Sequence, residues 1–556
     1  MNFKLVALNG RYIHSCLALF YLRQELKKQL PAAAIELRQF TINDPYYKTL
    51  LKIGEGAPGV LFFSVYIWNG ELIKRLLADL AAILPETSFV LGGPQAAAFA
   101  RQDLPTRCTV IGGEIEGIDP AFYQDLERGE LAPHYNCTPG RPFPSPYTDD
   151  DLSTELLNRH VYYESSRGCP FSCTYCLSSV ERGVHRKEPA QVEAELTAIL
   201  RHRPKIIKFV DRTFNDKPER AMAIWRFLAA RESGTVFHFE MAPDLFNEEM
   251  FAFLEELSPG RFQFELGVQS TNPATLAAVN RVMDLDKVGE NIRRLARLNN
   301  IHLHADLILG LPEETETTFR NSLNDLFAMG PHYIQMGLLK VLPTTRISRT
   351  KGLRHCAAPP YEVLATAEMS PATLARLYWL GECVESFHNN RYFPSLFAYL
   401  RERREDIAAF FDNLLAVCRQ HNFFGLAATQ TFLCELLLES VGERPDFGLI
   451  KDLLRYDWLR CGHRFIPEFL QKENLNELRK KLQRDLDREL PLLFTRRNRD
   501  EFFRKTVFAE FSGPALKQLG FTEAGKGSGV ICFLPRQSAS IHGHLETILL
   551  PGLSKR

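Results

Sequence analysis

Ser166-Arg167-Gly168-Cys169-Pro170-Phe171-Ser172-Cys173-Thr174-Tyr175-Cys176 carries the densest chemical signal in the chain. Three cysteines stand at spacings of four and three residues, with an aromatic immediately before the last. The apolar run Val161-Tyr162-Tyr163 leads into them and reads as a buried strand. Cysteines so close span little backbone, and the spacing predicts that their sulfurs converge on one point. Three thiolates after a strand are what a [4Fe–4S] cluster needs when one iron must stay free for another ligand. Zinc is the rival reading, because His185 stands nearby as a fourth ligand. A disulfide would leave a third thiol over.

The chain around this stretch has 556 residues, too many for one core. Composition is that of an ordinary globular protein, 45% apolar and 24% charged. Sixty-seven basic side chains balance sixty-seven acidic ones, which argues against a globally basic nucleic-acid surface but leaves a local one open. The other cysteines are scattered, with no disulfide framework. The opening residues read as a strand entering a Gly turn, too short for a signal segment. No apolar run approaches the ~18 residues of a membrane span. A cytoplasmic location without membrane attachment is the expectation.

Upstream, residues 1–118 alternate short apolar runs (3–8, 34–40, 60–66, 88–91 and 109–111) with helical periodicity at 16–26 and 72–84. Such alternation predicts a doubly wound parallel sheet, whose ligands bind beyond the carboxyl ends of the strands. At those ends stand Asn9 and Arg11, Ser64, the run Gly92-Gly93-Pro94, and the run Gly112-Gly113-Glu114. Paired glycines let a large flat or phosphate-bearing ligand approach the backbone; tight turns before helices are the bland alternative. Neither G-x-G-x-x-G nor G-x-x-x-x-G-K-[ST] occurs, so a dinucleotide or nucleoside triphosphate has little support here. Residues 119–157, with Pro120, Pro133, Pro139, Pro142, Pro144 and Pro146, read as a linker that wraps between domains rather than building a core.

Downstream, strand–helix rhythm returns over residues 158–346. Strands are expected at 161–164, 206–210, 236–241, 262–268, 303–309 and 333–339. Six units of about 30 residues suit an open, partial (β/α) barrel better than a full eight-unit one. Its chemistry belongs at the C-terminal ends of the strands, where the cysteine loop begins. Asp211 and Asn215 follow the second strand, Glu265, Gln269 and Ser270 end the fourth, and Ile308, Gly310 and Glu313 end the fifth. Any one is explicable as a strand end or helix cap; together they face one mouth.

This region resembles the radical S-adenosylmethionine (radical SAM) superfamily, whose motif C-x-x-x-C-x-aromatic-C is met by Cys169, Cys173, Tyr175 and Cys176. Ile308, Gly310 and Glu313 match the family's adenine-holding G-x-I-x-G-x-x-E, with Asp306 where its first Gly would be. The usual Gly-Gly-Glu is absent, and Asp211-Arg212-Thr213-Phe214-Asn215 takes its place, as in cobalamin-linked relatives. Gln269 and Ser270 match positions that often meet the ribose and carboxylate. The first 118 residues resemble the cobalamin-binding domain that precedes many such enzymes, on their strand order and the two Gly-Gly runs. The older relatives' Asp-x-His-x-x-Gly is replaced by Asn9-Gly10-Arg11-Tyr12-Ile13-His14, which leaves the lower cobalt ligand open, with His14 a candidate.

The resemblance implies a [4Fe–4S] cluster held by the three cysteines, S-adenosylmethionine cleaved to a 5′-deoxyadenosyl radical, and cobalamin as second cofactor. It implies methylation of an unactivated carbon, or else oxidative cyclisation or rearrangement. It also implies an unidentified substrate and an electron donor of flavodoxin or ferredoxin type. No residue of this chain stands out as a catalytic acid or base. The reading of another class is a non-catalytic cobalamin or cluster carrier, or an RNA-binding protein using a basic patch at Arg496, Arg497, Arg499, Arg504 and Lys505.

After the barrel, residues 347–556 read as a mainly helical region with helices at 374–388, 396–399, 404–420, 427–440 and 473–492. A small terminal unit of two strands, 505–511 and 529–533, follows. His542, His544 and Glu546 form a weak metal-ligand pattern near the end.

Overall fold

This computed structural model describes residues 2–99, 104–179, 183–485, 499–521, 527–534 and 545–550. Two parallel sheets form it, each of six strands. The first has the order Ala34–Thr41, Asn2–Asn9, Val60–Ser64, Ser88–Gly92, Cys108–Gly112, His134–Asn136. Helices on both faces bury separate apolar clusters, one around Val6, Phe63 and Leu76 and the other around Phe3, Phe62 and Phe122. The alternation of buried residues along a strand sends neighbours to opposite faces, so one sequence run supplies both.

The sixth strand and the helix Ala121–Arg128 before it lie inside the stretch expected to be a linker. Phe122, Tyr123 and Leu126 enter the core, and Tyr135 Oη donates to Asp125 Oδ2 at 2.7 Å. The strand is three residues long and flanked by prolines, which hid it. Wrapping begins only beyond it.

The second sheet runs Val161–Tyr163, Ile206–Phe209, Val236–Met241, Phe262–Gln269, His302–Leu309, Tyr333–Leu338 in sequential order, all parallel. The two outer strands do not pair, so the six-unit barrel is open. Its outer face buries Phe209, Phe214, Trp225, Phe239 and Phe264 in ring contact. Its inner face carries polar side chains at every second position, among them Glu265, His304 and Asp306.

The C-terminal region continues the same apolar core rather than forming its own. Pro371–Cys383 and the wide turn Val384–Asn389 cover the last barrel strand. Asn389 there accepts from Ile334 N at 2.9 Å and donates to Ile334 O at 2.8 Å, closing the ladder that an edge strand would leave open. Helices follow at Pro394–Glu402, Ile407–Gln420, Gln430–Ser440, Phe447–Arg460 and Leu475–Asp485.

Phe447–Arg460 escaped the sequence reading because it is buried nearly all round and carries charges inside. Asp457 accepts from Ser395 N and Oγ, Asp452 from Ser512 Oγ, and Arg455 donates to Glu510 O. Charges at those positions break the apolar stripe that marks a helix. The terminal unit has three antiparallel strands, Val507–Phe511, Gly529–Leu534 and Glu546–Leu549, one more than expected. Arg496, Arg497, His542 and His544 fall outside the described residues.

The first domain sits over the barrel mouth. Ser15 Oγ donates to His160 O at 2.8 Å, His160 N to Ile13 O at 2.7 Å, and Arg159 Nη1 to His14 O at 2.9 Å. Gln95 in turn donates to Tyr361 Oη of the C-terminal region.

Candidate active site

The cysteine loop is built on a buried carboxylate. Asp211, fully buried after the second barrel strand, accepts from Ser165 N at 2.9 Å, Ser165 Oγ at 2.5 Å and Ser166 Oγ at 2.6 Å. Burial raises its pKa, and the three donors work against that rise. Ser166–Gly168 then pairs antiparallel with Val184–Arg186, so the cysteines occupy the excursion between the two arms. Gly168 has φ +90°, and a Cβ there would stand 2.1 Å from Gly183 O; only glycine allows this hairpin.

The loop's far side is tied to the barrel. Thr174 N donates to Val279 O at 2.9 Å, and Asn280 Nδ2 to Ser172 Oγ at 2.6 Å. Arg281 Nη1 lies 3.9 Å from Cys173 Sγ while its Nη2 donates to Gly267 O at 2.6 Å.

Cys169, Cys173 and Cys176 line one cavity of about 170 Å³, with Arg212, Glu240, Glu265, Gln269 and Asp306 among its other walls. The sulfurs do not converge on one point. Among the described residues no three His, Cys, Asp or Glu groups lie close enough to hold a single metal ion. His185 is exposed on the hairpin, against Gly140, and no histidine lines the cavity. A zinc ion would need its ligands within about 2.3 Å of one centre, so this donor set does not fit it. In a four-iron cluster each thiolate binds its own iron, and three spread thiols fit that requirement.

The cavity is acidic on its barrel side. Burial pushes the Glu240 carboxyl up to about 7, with Arg212 opposing the rise and Glu265 and Asp306 adding to it. His304 Nε2 stands 3.1 Å from Asp306 Oδ1, within ion-pair range but off hydrogen-bond geometry. A kink in register between Gly267 and Gln269, with Gln269 at φ +72°, re-aims Gln269 into the cavity.

A larger cavity, about 900 Å³, lies between the strand ends of the first sheet and the barrel mouth. Asn9, Ser64, Gly92, Gly93, Pro94, Gly113 and Glu114 line it from the sheet, and Tyr162, Glu164, Arg167 and Arg212 from the barrel. Arg212 borders both cavities, which therefore adjoin. A Cβ on Gly10 or Gly92 would meet nothing within 4 Å, so these glycines leave space for a ligand at the backbone. Ser64 Oγ, buried beside Cys16 and Tyr66, makes no hydrogen bond of good geometry among the described residues. These are features of a cradle for a large ligand.

His14 also lines this cavity, with Nδ1 2.6 Å from Tyr162 Oη and a pKa lowered by burial. Glu114 is held by Arg167 at 3.1 Å, and burial raises its pKa. Asn9 serves the turn beneath, donating to His14 O and Gln39 Oε1.

Several residues predicted for these sites lie elsewhere. Arg11 lines a separate outer pocket with Arg38, Lys52 and Arg159, and Gly112 packs against Asn136 Oδ1. Asn215 bridges Ala242 N and O in the buried interior. Ser270 donates to buried Glu314 Oε1 at 2.6 Å. Gly310, at φ +90°, packs on Val363 and Leu374, and Glu313 is exposed with its backbone oxygen accepting from Thr275 Oγ1. Ile308 packs against the core. None of these seven borders the cysteine cavity. Glu240 and Arg281 escaped the sequence reading; a charged residue inside the apolar strand run at 236–241 was the available signal for Glu240.

Residues 163–326 match the radical SAM superfamily, and residues 352–533 match DUF4080, described as a protein of unknown function. The chain is 25% identical over 421 residues to 2-(S-pantetheinyl)-carbapenam-3-carboxylate methyltransferase of Streptantibioticus cattleyicolor, covering 64% of this chain and 61% of that protein. It is 25% identical over 410 residues to the cobalamin-dependent radical SAM methyltransferase TokK of Streptomyces tokunonensis, covering 62% and 59%. The chain thus spans about three fifths of the length of these relatives. The fold is similar to that of the cobalamin-dependent S-adenosylmethionine radical enzyme OxsB, with TM-score 0.59, 13% identity and coverage of 87% of this chain and 83% of that one. The domain that holds the three-cysteine loop is thus similar to the radical SAM superfamily over residues 163–326.

Proposed function

We propose that the chain is a radical enzyme that holds a [4Fe–4S] cluster on Cys169, Cys173 and Cys176, binds S-adenosylmethionine beside it, and carries cobalamin in the larger cavity to methylate an unactivated carbon. The observation that carries this reading is the pair of adjoining cavities sharing Arg212, one walled by thiols and the other by the small residues of the sheet ends. When bound, these groups supply the electron that cleaves the sulfonium bond and the methyl group that is transferred.

The residues do the positioning. Asp211 and Gly168 set the loop, and Arg281 places positive charge beside one thiolate. Glu240, Glu265 and Asp306 offer carboxylates to the amino and hydroxyl groups of S-adenosylmethionine, and Gln269 a neutral amide. Gly10 and Gly92 leave the backbone open to a macrocycle. The first domain, seated on the mouth, excludes water from the reacting atoms. A flavodoxin- or ferredoxin-type donor supplies electrons in the cytoplasm; among the described residues no helix is long and apolar enough to cross a membrane.

Anaerobic reconstitution of the full chain tests the proposal. It is expected to give about four iron and four sulfide per chain, retained cobalamin, and both 5′-deoxyadenosine and S-adenosylhomocysteine from S-adenosylmethionine. Cluster binding undiminished in Cys173→Ala would refute the ligand set. 5′-Deoxyadenosine without S-adenosylhomocysteine would refute methyl transfer.

A further inference from the structure

The arm of the cysteine hairpin that precedes Cys169, Ser166–Gly168, is held from two sides. On the barrel side Ser166 Oγ donates to the buried Asp211 Oδ1 at 2.6 Å. Side chains alternate along a strand, so Arg167 leaves the arm in the other direction, toward the first domain. There its fork meets Glu116, with Nη1 donating to Oε2 at 3.1 Å and Nη2 to Oε1 at 3.0 Å. Nη1 also lies 3.1 Å from Glu114 Oε2, and Nε donates at 2.9 Å to Glu164 Oε2, just past the first barrel strand.

The guanidinium is fixed by rings as well. Its carbon stands 4.7 Å from the ring centre of Tyr21, on the first domain's first helix, and 4.3 Å from that of Phe143, in the segment that wraps between the domains. Burial works against its charge, and the three carboxylates more than offset this, so its pKa is raised. The turn Ile115–Gly117 that carries Glu116 is itself tied down, Gly117 N donating to Glu114 O at 2.9 Å and Gly117 O accepting from Thr138 N at 2.7 Å.

A plain docking contact would need none of this precision. The first domain is already seated by Ser15 on His160 O, His160 N on Ile13 O, Arg23 on Asp151 and Gln95 on Tyr361. What Arg167 adds is registration between two loops. Glu114 follows the Gly112-Gly113 run and, with Glu116, Glu164 and Arg167, lines the larger cavity. Cys169, two residues beyond Arg167, lines the smaller one. Two residues of extended chain span only ~7 Å.

We propose that Arg167 is a positioning residue that sets the separation of the cluster from the cobalamin, by pinning the cysteine arm to Glu116 and Glu114 of the first domain; this rests on the two-cofactor function proposed above. Transfer between two bound groups tolerates little error, ~1 Å of misplacement costing on the order of 10²-fold. A bidentate guanidinium–carboxylate pair fixes direction as well as distance, which the ammonium of a lysine does not.

Electron paramagnetic resonance of the reconstituted full chain tests this, because a reduced cluster speeds the spin relaxation of cob(II)alamin by an amount that falls steeply with their separation. Arg167→Lys and Glu116→Gln are each expected to keep wild-type iron and cobalamin content and to lower that enhancement about twofold or more. The two residues act through one contact, so the double variant should lower it no further than the stronger single variant. Unchanged enhancement in the loaded variants, or losses that add in the double variant, would overturn the assignment. If Arg167→Lys does not load the cluster, Glu116→Gln decides alone, since Glu116 does not border the cysteine cavity. Loss of the cluster from Glu116→Gln as well would also overturn it, by making the contact a requirement for assembly rather than for separation. A wild-type chain that takes up no cluster or no cobalamin refutes the proposed function instead, before any variant is compared.

Discussion

The guanidinium of Arg281 stands 3.9 Å from the sulfur of Cys173, although 108 residues separate them in the chain. Its second nitrogen is anchored on Gly267 O and its plane lies over Phe171, 5.3 Å from the ring centre. A fixed positive charge beside a cluster ligand favours the reduced, more negative state. Arg281→Gln is therefore expected to lower the cluster's reduction potential by tens of millivolts, where about 59 mV is a tenfold change for one electron. Redox titration followed by electron paramagnetic resonance reads this; an unchanged potential would show that the arginine only packs.

Gly168 governs the loop by geometry alone. A Cβ 2.1 Å from Gly183 O cannot be accommodated without parting the hairpin. Gly168→Ala should fold, because the barrel core lies elsewhere, yet bind well under half the iron of the wild type on reconstitution. Full iron content in that variant would contradict the argument.

Asn389 substitutes for a missing neighbour at the barrel edge. Two bonds of its amide go to Ile334, Glu385 accepts from the same nitrogen at 2.7 Å, and Oδ1 also lies 3.0 Å from His388 Nδ1. Asn389→Leu leaves a buried N–H and C=O unpaired and should cost about 2–4 kcal/mol. Chemical denaturation measures it, and a loss under about 0.5 kcal/mol would mean that the edge finds other partners.

Glu314 supplies a pH dependence. Its side chain is buried, Ser270 Oγ is its hydrogen-bond donor, and Oε2 has no partner among the described residues. Burial raises its pKa to about 8, against the donor's opposing pull. A carboxyl whose folded pKa lies above its unfolded value binds more protons when folded, so stability falls as pH rises from about 4.5 through 8. Glu314→Gln should remove that fall, gaining on the order of a few kcal/mol at pH above 8 and little near pH 5. Parallel denaturation curves for both proteins across this range would rule the ionisation out.

What the sequence determined by itself was whatever is written locally. Cys169, Cys173 and Cys176 are adjacent in the chain, and the six barrel strands repeat a burial alternation and a connection length that nearest neighbours define. Both are readable because they depend on spacing. The tertiary structure decided what depends on distance across the fold. Arg281 reaches Cys173 from beyond the fourth barrel strand, and Arg212 borders both cavities because the first domain docks over the mouth. Phe447–Arg460 hides its periodicity behind charges that find their partners across the fold, Asp457 on Ser395, Asp452 on Ser512 and Lys472, and Arg455 on Glu473 and the backbone of Glu510. The cysteines name the chemistry; the packing of three distant segments around them chooses which charges surround it, since electrostatic influence follows separation in space rather than in sequence.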